Sequence, residues 1–290
     1  MEKIGIFTSN ENDWNVRQLK GEIEKRGIGC VCFPINELVA RISGKPRVSC
    51  RGHDLEEFSG LIVRWVPKGS AEQIVFRMDA LHRLEDLGMR VLNPASAIEK
   101  CADKFYTCSL LEDAGIPVPR TVVSEKYGDA MKAFLELKDV VVKPLFGSLG
   151  TGMLRVNDRD LAYRVFKALE FGWNIFYVQE FVPHGNEDVR AFVLGEEVIA
   201  SMKRVGKDWK TNVAKGARVQ PYELSEDLNE ICVKAAKTVG CEYAGVDLIE
   251  GEEPLVLEVN SIPGWKGLQS VAHVNIAEKI VDHLLKRNTS

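Results

Sequence analysis

Several classes of protein are excluded by what this sequence does not contain. No apolar run approaches the length of a membrane span. The opening Met1-Glu2-Lys3-Ile4-Gly5-Ile6-Phe7 reads as a strand and lacks the basic and apolar regions of a signal peptide. There is no excess of positive charge: 38 Lys and Arg stand against 42 Asp and Glu, net −4, so no nucleic-acid footprint is present. The seven cysteines form no C-x-x-C pair, and without an export signal they read as reduced, core-packing thiols of a cytoplasmic protein. The five histidines fall in no zinc-binding pattern. No Ser-His or Cys-His arrangement is evident, and there are no internal repeats or low-complexity tracts.

What remains is alternating strand and helix with ordinary apolar content, long enough for two or three subdomains. Residues 1–95 read as a small α/β domain with a largely parallel sheet: strands at 3–8, 29–34, 60–65 and 91–92, helices at 12–26 and 70–87. Arg64 and Lys68 fall at the carboxyl end of a buried strand, where ligands of open sheets collect. Asn93-Pro94 breaks the chain. Residues 96–183 read as a compact α+β lid, opening on one helix capped by Ser96 and stopped by Gly115. Residues 184–290 follow a hinge at Pro183-His184-Gly185 and read as strands, a helix at 225–239, two further strands and a terminal helix.

The chain is organised around Val140-Val141-Val142-Lys143-Pro144-Leu145-Phe146-Gly147-Ser148-Leu149-Gly150-Thr151-Gly152-Met153. Three β-branched residues make a buried strand that ends on a lysine and enters a loop with three glycines and two hydroxyls. Glycines let backbone N–H groups approach phosphate oxygens, and lysine adds a point charge. The lysine precedes the glycines, so this is not the G-x-x-x-x-G-K-[ST] phosphate loop.

A second cluster lies near the C-terminus. In Leu255–Asn260, period-two alternation puts Val256, Glu258 and Asn260 on one face and Leu255, Leu257 and Val259 in the core. If Glu250 pairs with Leu255, Asp247 lies opposite Glu258, with Cβ atoms roughly 5 Å apart. Two carboxylates so placed repel, and a divalent cation between them removes the conflict. All-oxygen ligands favour Mg²⁺ or Mn²⁺.

Lys104, Lys143 with its glycine loop, Gln179-Glu180-Phe181-Val182 followed by Asp188-Val189-Arg190, and the acidic strands around Asp247 and Glu258 occur in an order that resembles the ATP-grasp superfamily, within it the RimK-type amino-acid ligases. Phe176–Phe181, Asp208-Trp209-Lys210-Thr211-Asn212 and Glu258–Trp265 are most similar to archaeal glutamate ligases acting on tetrahydromethanopterin or the deazaflavin coenzyme. The resemblance covers essentially the whole chain and implies an ATP-grasp fold preceded by a small α/β domain. It implies ATP and two Mg²⁺ or Mn²⁺ ions as cofactors. Lys104, Lys143, Ser148, Gly150, Thr151 and Gly152 would bind phosphates; Gln179, Glu180, Phe181 and Val182 the adenine side; and Asp188 the ribose. Arg190, Arg204, Asn212 and Lys215 would act at the transferred phosphoryl group, and Asp247, Glu258 and Asn260 would hold the metal. Arg204, Lys210 and Lys215 are expected to receive the side-chain carboxylate of glutamate. Lys210 stands where relatives often carry arginine, which alters the expected amino-acid pocket.

The implied reaction is activation of a carboxylate as an acyl phosphate, followed by attack of an amine. Its partners would be a small-molecule carboxylate acceptor and L-glutamate, with no nucleic acid and no membrane. A homo-oligomer is compatible with the sequence. Two alternatives stand beside it: ligation onto a protein C-terminus or carrier protein, and a non-catalytic ATP-binding module.

Overall fold

The computed structural model describes residues 2–147, 150–213, 216–251 and 253–286. The chain opens with β1 (Lys3–Phe7), α1 (Trp14–Lys25) and β2 (Gly29–Phe33). A small antiparallel sheet follows, β3 (Leu38–Ala40), β4 (Val48–Cys50) and β5 (His53–Asp54). Then come β6 (Gly60–Val63), α2 (Ala71–Asp86) and β7 (Val91–Leu92), and the parallel sheet runs β2-β1-β6-β7. Asp13 starts α1 by accepting from Asn15 N (2.9 Å) and Val16 N (3.2 Å). Val16, Leu19 and Ile23, spaced for one helical face, are then buried. Ser70 and Gln73 form a capping box at α2.

The helix expected from Ser96 to Ala114 is two helices, α3 (Ala95–Ala102), which starts directly after Pro94 with no side-chain cap and takes Ser96 into its first turn, and α4 (Lys104–Asp113). Asp103 causes the break: its carboxylate accepts from Phe105 N (2.9 Å) and Tyr106 N (3.0 Å), which starts a new helix and puts Lys104 in its first turn. Ala97, Leu111 and Ile116 share a core with the C-terminal sheet, so α3 and α4 bury their apolar residues there, while Cys108 of α4 also reaches Tyr177 OH of the lid (3.3 Å).

The lid consists of β8 (Thr121–Ser124), α5 (Tyr127–Leu137), β9 (Val140–Lys143), β10 (Leu154–Val156), α6 (Arg159–Phe171) and β11 (Phe176–Glu180). Its antiparallel sheet has the order β10-β9-β11-β8, and α5 and α6 close a separate core containing Phe134, Phe166 and Phe176. The C-terminal sheet uses β12 (Glu187–Leu194), β13 (Glu197–Val205), β14 (Arg218–Pro221), β15 (Tyr243–Ile249) and β16 (Leu255–Asn260), with α7 (Glu226–Val239) on one face. Its order is β14-β13-β12-β15-β16. The chain ends with α8 (Lys266–Gln269) and α9 (Ile276–Leu285).

The second face of that sheet meets the N-terminal domain: Ile4, Ile6, Leu19, Phe192, Tyr243, Trp265 and Ile280 form one core. Trp265 is fully buried, edge-on to Phe192 at 6.1 Å. Truncation of such a side chain costs about 3–5 kcal/mol. Arg64 is a strut between the domains. It is buried, donates to Tyr243 OH (3.1 Å) and Pro263 O (2.8 Å), and lies 4.7 Å from the Trp265 ring centre. Asn93 is fully buried as well. Its amide donates to Tyr243 O (2.7 Å) and Ser261 O (2.6 Å) and accepts from Glu242 N (2.8 Å) and Tyr243 N (3.1 Å). The break at Asn93-Pro94 is therefore a stitched junction.

Candidate active site

The site lies between the lid and the C-terminal sheet. A pocket there is lined by Lys104, Lys143, Gln179, Arg204, Asp247 and Glu258, with Val141, Met153, Phe181, Ile249 and Leu257 as apolar walls. Such a pocket, apolar on its sides and charged at a few points, suits a flat heterocycle carrying an anionic chain.

The lid supplies Lys143 at the end of β9. Its Nζ donates to Gln179 Oε1 on β11 (2.5 Å), and Gln179 Nε2 in turn donates to Thr121 Oγ1 (2.9 Å). Lys104 reaches in from α4 and donates to Gly147 O (2.8 Å), which ties that helix to the glycine loop. Burial pulls both ammonium groups below the ordinary lysine range, although Glu258 opposes the shift. Two desolvated lysines facing one pocket gain most from an anionic ligand.

The C-terminal sheet supplies the charges opposite, placed by its register. Asp188 lies across from Arg204, Arg190 across from Asp247, and Asp247 across from Glu258. Asp247 receives Arg190 Nε and Nη2, both at 2.6 Å, and Arg204 Nη2 at 2.9 Å. Burial alone would raise this carboxyl, but the two guanidinium groups outweigh it and hold Asp247 below the usual range. Asp188 receives Arg204 Nε (2.7 Å), Arg204 Nη2 and Thr211 Oγ1 (2.6 Å). There burial prevails, and Asp188 is pushed up.

The sheet register refines the expected hairpin. Ile249, not Glu250, pairs with Leu255, and a bulge between Asp247 and Leu248 absorbs the offset. Asp247 still lies opposite Glu258 because one irregularity cancels the other. The bulge also resets the alternation: Val256 and Val259 enter the core, while Leu257 lines the pocket beside Glu258. The electrostatic premise changes too, since two arginines already balance Asp247. Asn260 accepts from Ile262 N through its amide oxygen (2.9 Å).

Elsewhere the structure shows what each side chain touches. The Glu180 carboxylate turns to Arg120, accepting from its N–H (2.9 Å) and Nε (2.7 Å). The N–H groups of Glu180 and Phe181 go to Arg120 O and Asp139 O. Val182 also lines the pocket, and its N–H has no partner among the described residues. The Arg204 guanidinium lines the pocket but is paired with Asp188 and Asp247, and its side chain is 3% exposed. Lys210 turns toward the lid and donates to Met153 O (2.8 Å). Gly150 and Gly152 have φ of 64° and 78°, in the left-handed region, and Asn212 lies directly over Gly150. Thr151 is exposed beside them. Ser148 and Lys215 lie outside the described residues.

Sequence reasoning missed Thr211, although it sits in the quoted Lys210-Thr211-Asn212 motif; a hydroxyl beside a buried carboxylate has no one-dimensional signature. Arg120, the partner of Glu180, was equally silent, since the two are distant in sequence and adjacent only across the lid sheet.

The lid's terminal lysine, set over an antiparallel sheet bearing paired carboxylates and arginines, defines an ATP-grasp ligase. The chain belongs to the RimK-like ATP-grasp family: the RimK-like ATP-grasp domain matches residues 101–284 and the RimK pre-ATP-grasp domain residues 2–98. It is similar to the tetrahydromethanopterin:alpha-L-glutamate ligase of Methanococcus maripaludis, 34% identical over 98% of both chains. The protein of the same name from Methanocaldococcus jannaschii is 36% identical, again over 98% of each. Among solved structures, the RimK domain ATP-grasp protein of Sphaerobacter thermophilus has a TM-score of 0.77 at 21% identity, covering 98% of this chain and 99% of that one. The ATP-grasp ligase PsnB, solved with a minimal precursor, Mg and ADP, has a TM-score of 0.74 at 22% identity, covering 97% and 96%. No helix among the described residues is long and apolar enough to cross a membrane.

Proposed function

We propose that this ligase uses ATP and a divalent cation, Mg²⁺ or Mn²⁺, to activate a carboxylate on a small cofactor of the tetrahydromethanopterin type, and joins it to the amino group of L-glutamate in the cytoplasm. The observation that carries the reading is the full-length likeness to glutamate ligases of that name at 34% and 36% identity. The site geometry supports it from the chemical side.

The fit to nucleotide and metal rests on the donor set. Glu258 lines the pocket with no hydrogen-bond partner among the described residues, and its field reaches both Lys104 and Lys143. No group of three or more His, Cys, Asp or Glu able to hold a metal occurs among the described residues. That suits Mg²⁺, which takes one or two protein carboxylates and completes its shell with phosphate oxygens and water. Glu258 and Asp247, with Asn260 beyond them, would hold the ion. Once bound, it would neutralise charge on the transferred phosphoryl group.

The chain's own residues do the rest. Lys104 and Lys143 receive phosphate oxygens, and their desolvation makes that contact stronger than it would be in water. Gly150, Thr151 and Gly152 bring backbone groups over the same phosphates, with Ser148 as a further proposed contact. The apolar walls and the Val182 N–H, without a partner among the described residues, receive the adenine, beside Gln179, Glu180 and Phe181, and Asp188 borders the ribose side. Arg190, held by Asp247, presents a cation to the phosphoryl group, with Asn212 and Lys215 as further proposed contacts. Arg204 acts through Asp188 and Asp247, fixing their geometry. No enzyme nucleophile is required, because the substrate carboxylate attacks the γ-phosphate and the amine then displaces phosphate.

The test is incubation with Mg-ATP, glutamate and a panel of cofactor and peptide carboxylates, followed by product masses. A glutamyl adduct on the pterin-type acceptor supports the reading. ADP release with an adduct only on a peptide would move the acceptor to a protein.

A further inference from the structure

The loop between β13 and β14 grips the lid through backbone and side-chain contacts that the proposed chemistry does not use. Gly206 shapes this loop: a Cβ there would lie 2.7 Å from both Asp208 O and Lys210 O, so the chain folds back on itself only with glycine. The folded loop meets the lid at three points. Trp209 stands edge-on to Phe181, ring centres 6.1 Å apart. Lys210 donates from Nζ to Met153 O at 2.8 Å. Asn212 covers Gly150 so closely that a Cβ on Gly150 would sit 2.3 Å from Asn212 Oδ1.

We propose that Lys210 is a positioning residue whose ammonium clasps the glycine loop at Met153 O and thereby couples ATP use to ligation. The step at risk is hydrolysis of the activated carboxyl. An acyl phosphate that meets water returns the free carboxylate and phosphate, so ATP is consumed without product. On the reading above the glycine loop is the part of the lid that meets the phosphates, and Lys210 fastens it to the loop joining β13 and β14. The bond is charge-assisted, made to a backbone carbonyl, and formed by a half-buried side chain. Asn212 against Gly150 and Trp209 against Phe181 set its register.

The coupling arm of this inference rests on the ligase reading above; a second arm does not. In Lys210→Met, ADP released per ligated product rises roughly tenfold, while the KM for ATP changes little. Lys210→Arg keeps a cationic donor and restores the wild-type ratio. In the ligand-free full chain, amide hydrogen exchange at Gly152–Leu154 accelerates in Lys210→Met and returns toward wild type in Lys210→Arg. Unchanged exchange and unchanged coupling in Lys210→Met would overturn the clasp. So would a raised KM for glutamate alone, which would make Lys210 a substrate ligand. If wild type ligates nothing, the ligase reading fails and the exchange measurement still decides the clasp.

Discussion

Asp247 and Glu258 face one another across β15 and β16, and only Asp247 is held by arginine. The two carboxylates therefore differ in what they do. Asp247 is locked into a buried, charge-balanced cluster with Arg190, Arg204 and Asp188. Glu258 is left to meet whatever enters the pocket.

Replacing Asp247 tests that division. Asp247→Asn leaves two guanidinium groups short of a counter-charge, and loss of one member of a buried pair costs about 3–5 kcal/mol. Chemical denaturation should show the loss. Mutual repulsion between Asp247 and Glu258 would predict an equal or greater stability. The acid limb has a matching sign. Asp247 has a lowered pKa, so its contribution is present above the ordinary carboxyl range and disappears as pH falls through the lowered value.

Glu258→Gln should leave folding stability near wild type, since no ion pair is broken. Activity should fall on the order of 10²-fold, with a higher Mg²⁺ concentration for half-maximal rate. A wild-type curve of rate against Mg²⁺ would remove Glu258 from the metal set.

Lys143 and Lys104 give a pH prediction. Their lowered pKa values mean that charge is lost at a pH below the ordinary lysine range. The KM for ATP should therefore climb on the alkaline side, earlier than for exposed lysines. Burying a charged Lys143 is a penalty at low pH, relieved as pH rises through the lowered value. Lys143→Met should then be at least as stable as wild type at neutral pH, while ATP binding and ligation drop on the order of 10²-fold.

Gly150→Val combines two obstructions, a positive φ of 64° and the 2.3 Å approach of Asn212 Oδ1. The strain costs roughly 1–2 kcal/mol, and Asn212 must swing away. Turnover should fall tenfold or more, with only a small shift in melting temperature. Normal activity per folded molecule would make the glycine a turn residue alone.

Much of this architecture was legible because its signals are local. Three valines before Lys143 mark their strand, and the alternation of strands and helices over residues 1–95 marks the parallel sheet, each in one dimension. The family motifs carried the site. What was hidden depends on distant partners. Asp103 divides a helix whose pattern looks continuous, because a capping carboxylate outweighs the propensity of its neighbours. The bulge in β15–β16 moves Leu257 from the expected core to the pocket wall, and nothing in Leu255–Asn260 announces it. Arg64 and Lys210 both read as charges awaiting a ligand. One is an interdomain strut and the other contacts the lid backbone, and only the third dimension separates those roles.

The proposed reaction joins glutamate to a carboxylate by way of ATP. The most direct measurement is the product mass when purified protein, Mg-ATP and L-glutamate are supplied with a tetrahydromethanopterin-type acceptor, beside a reaction lacking glutamate. The expected result is an acceptor heavier by whole glutamyl residues, with ADP released in step and no adduct without glutamate. An unmodified acceptor with ATP left intact, or an adduct formed only with a different amino acid, would contradict it.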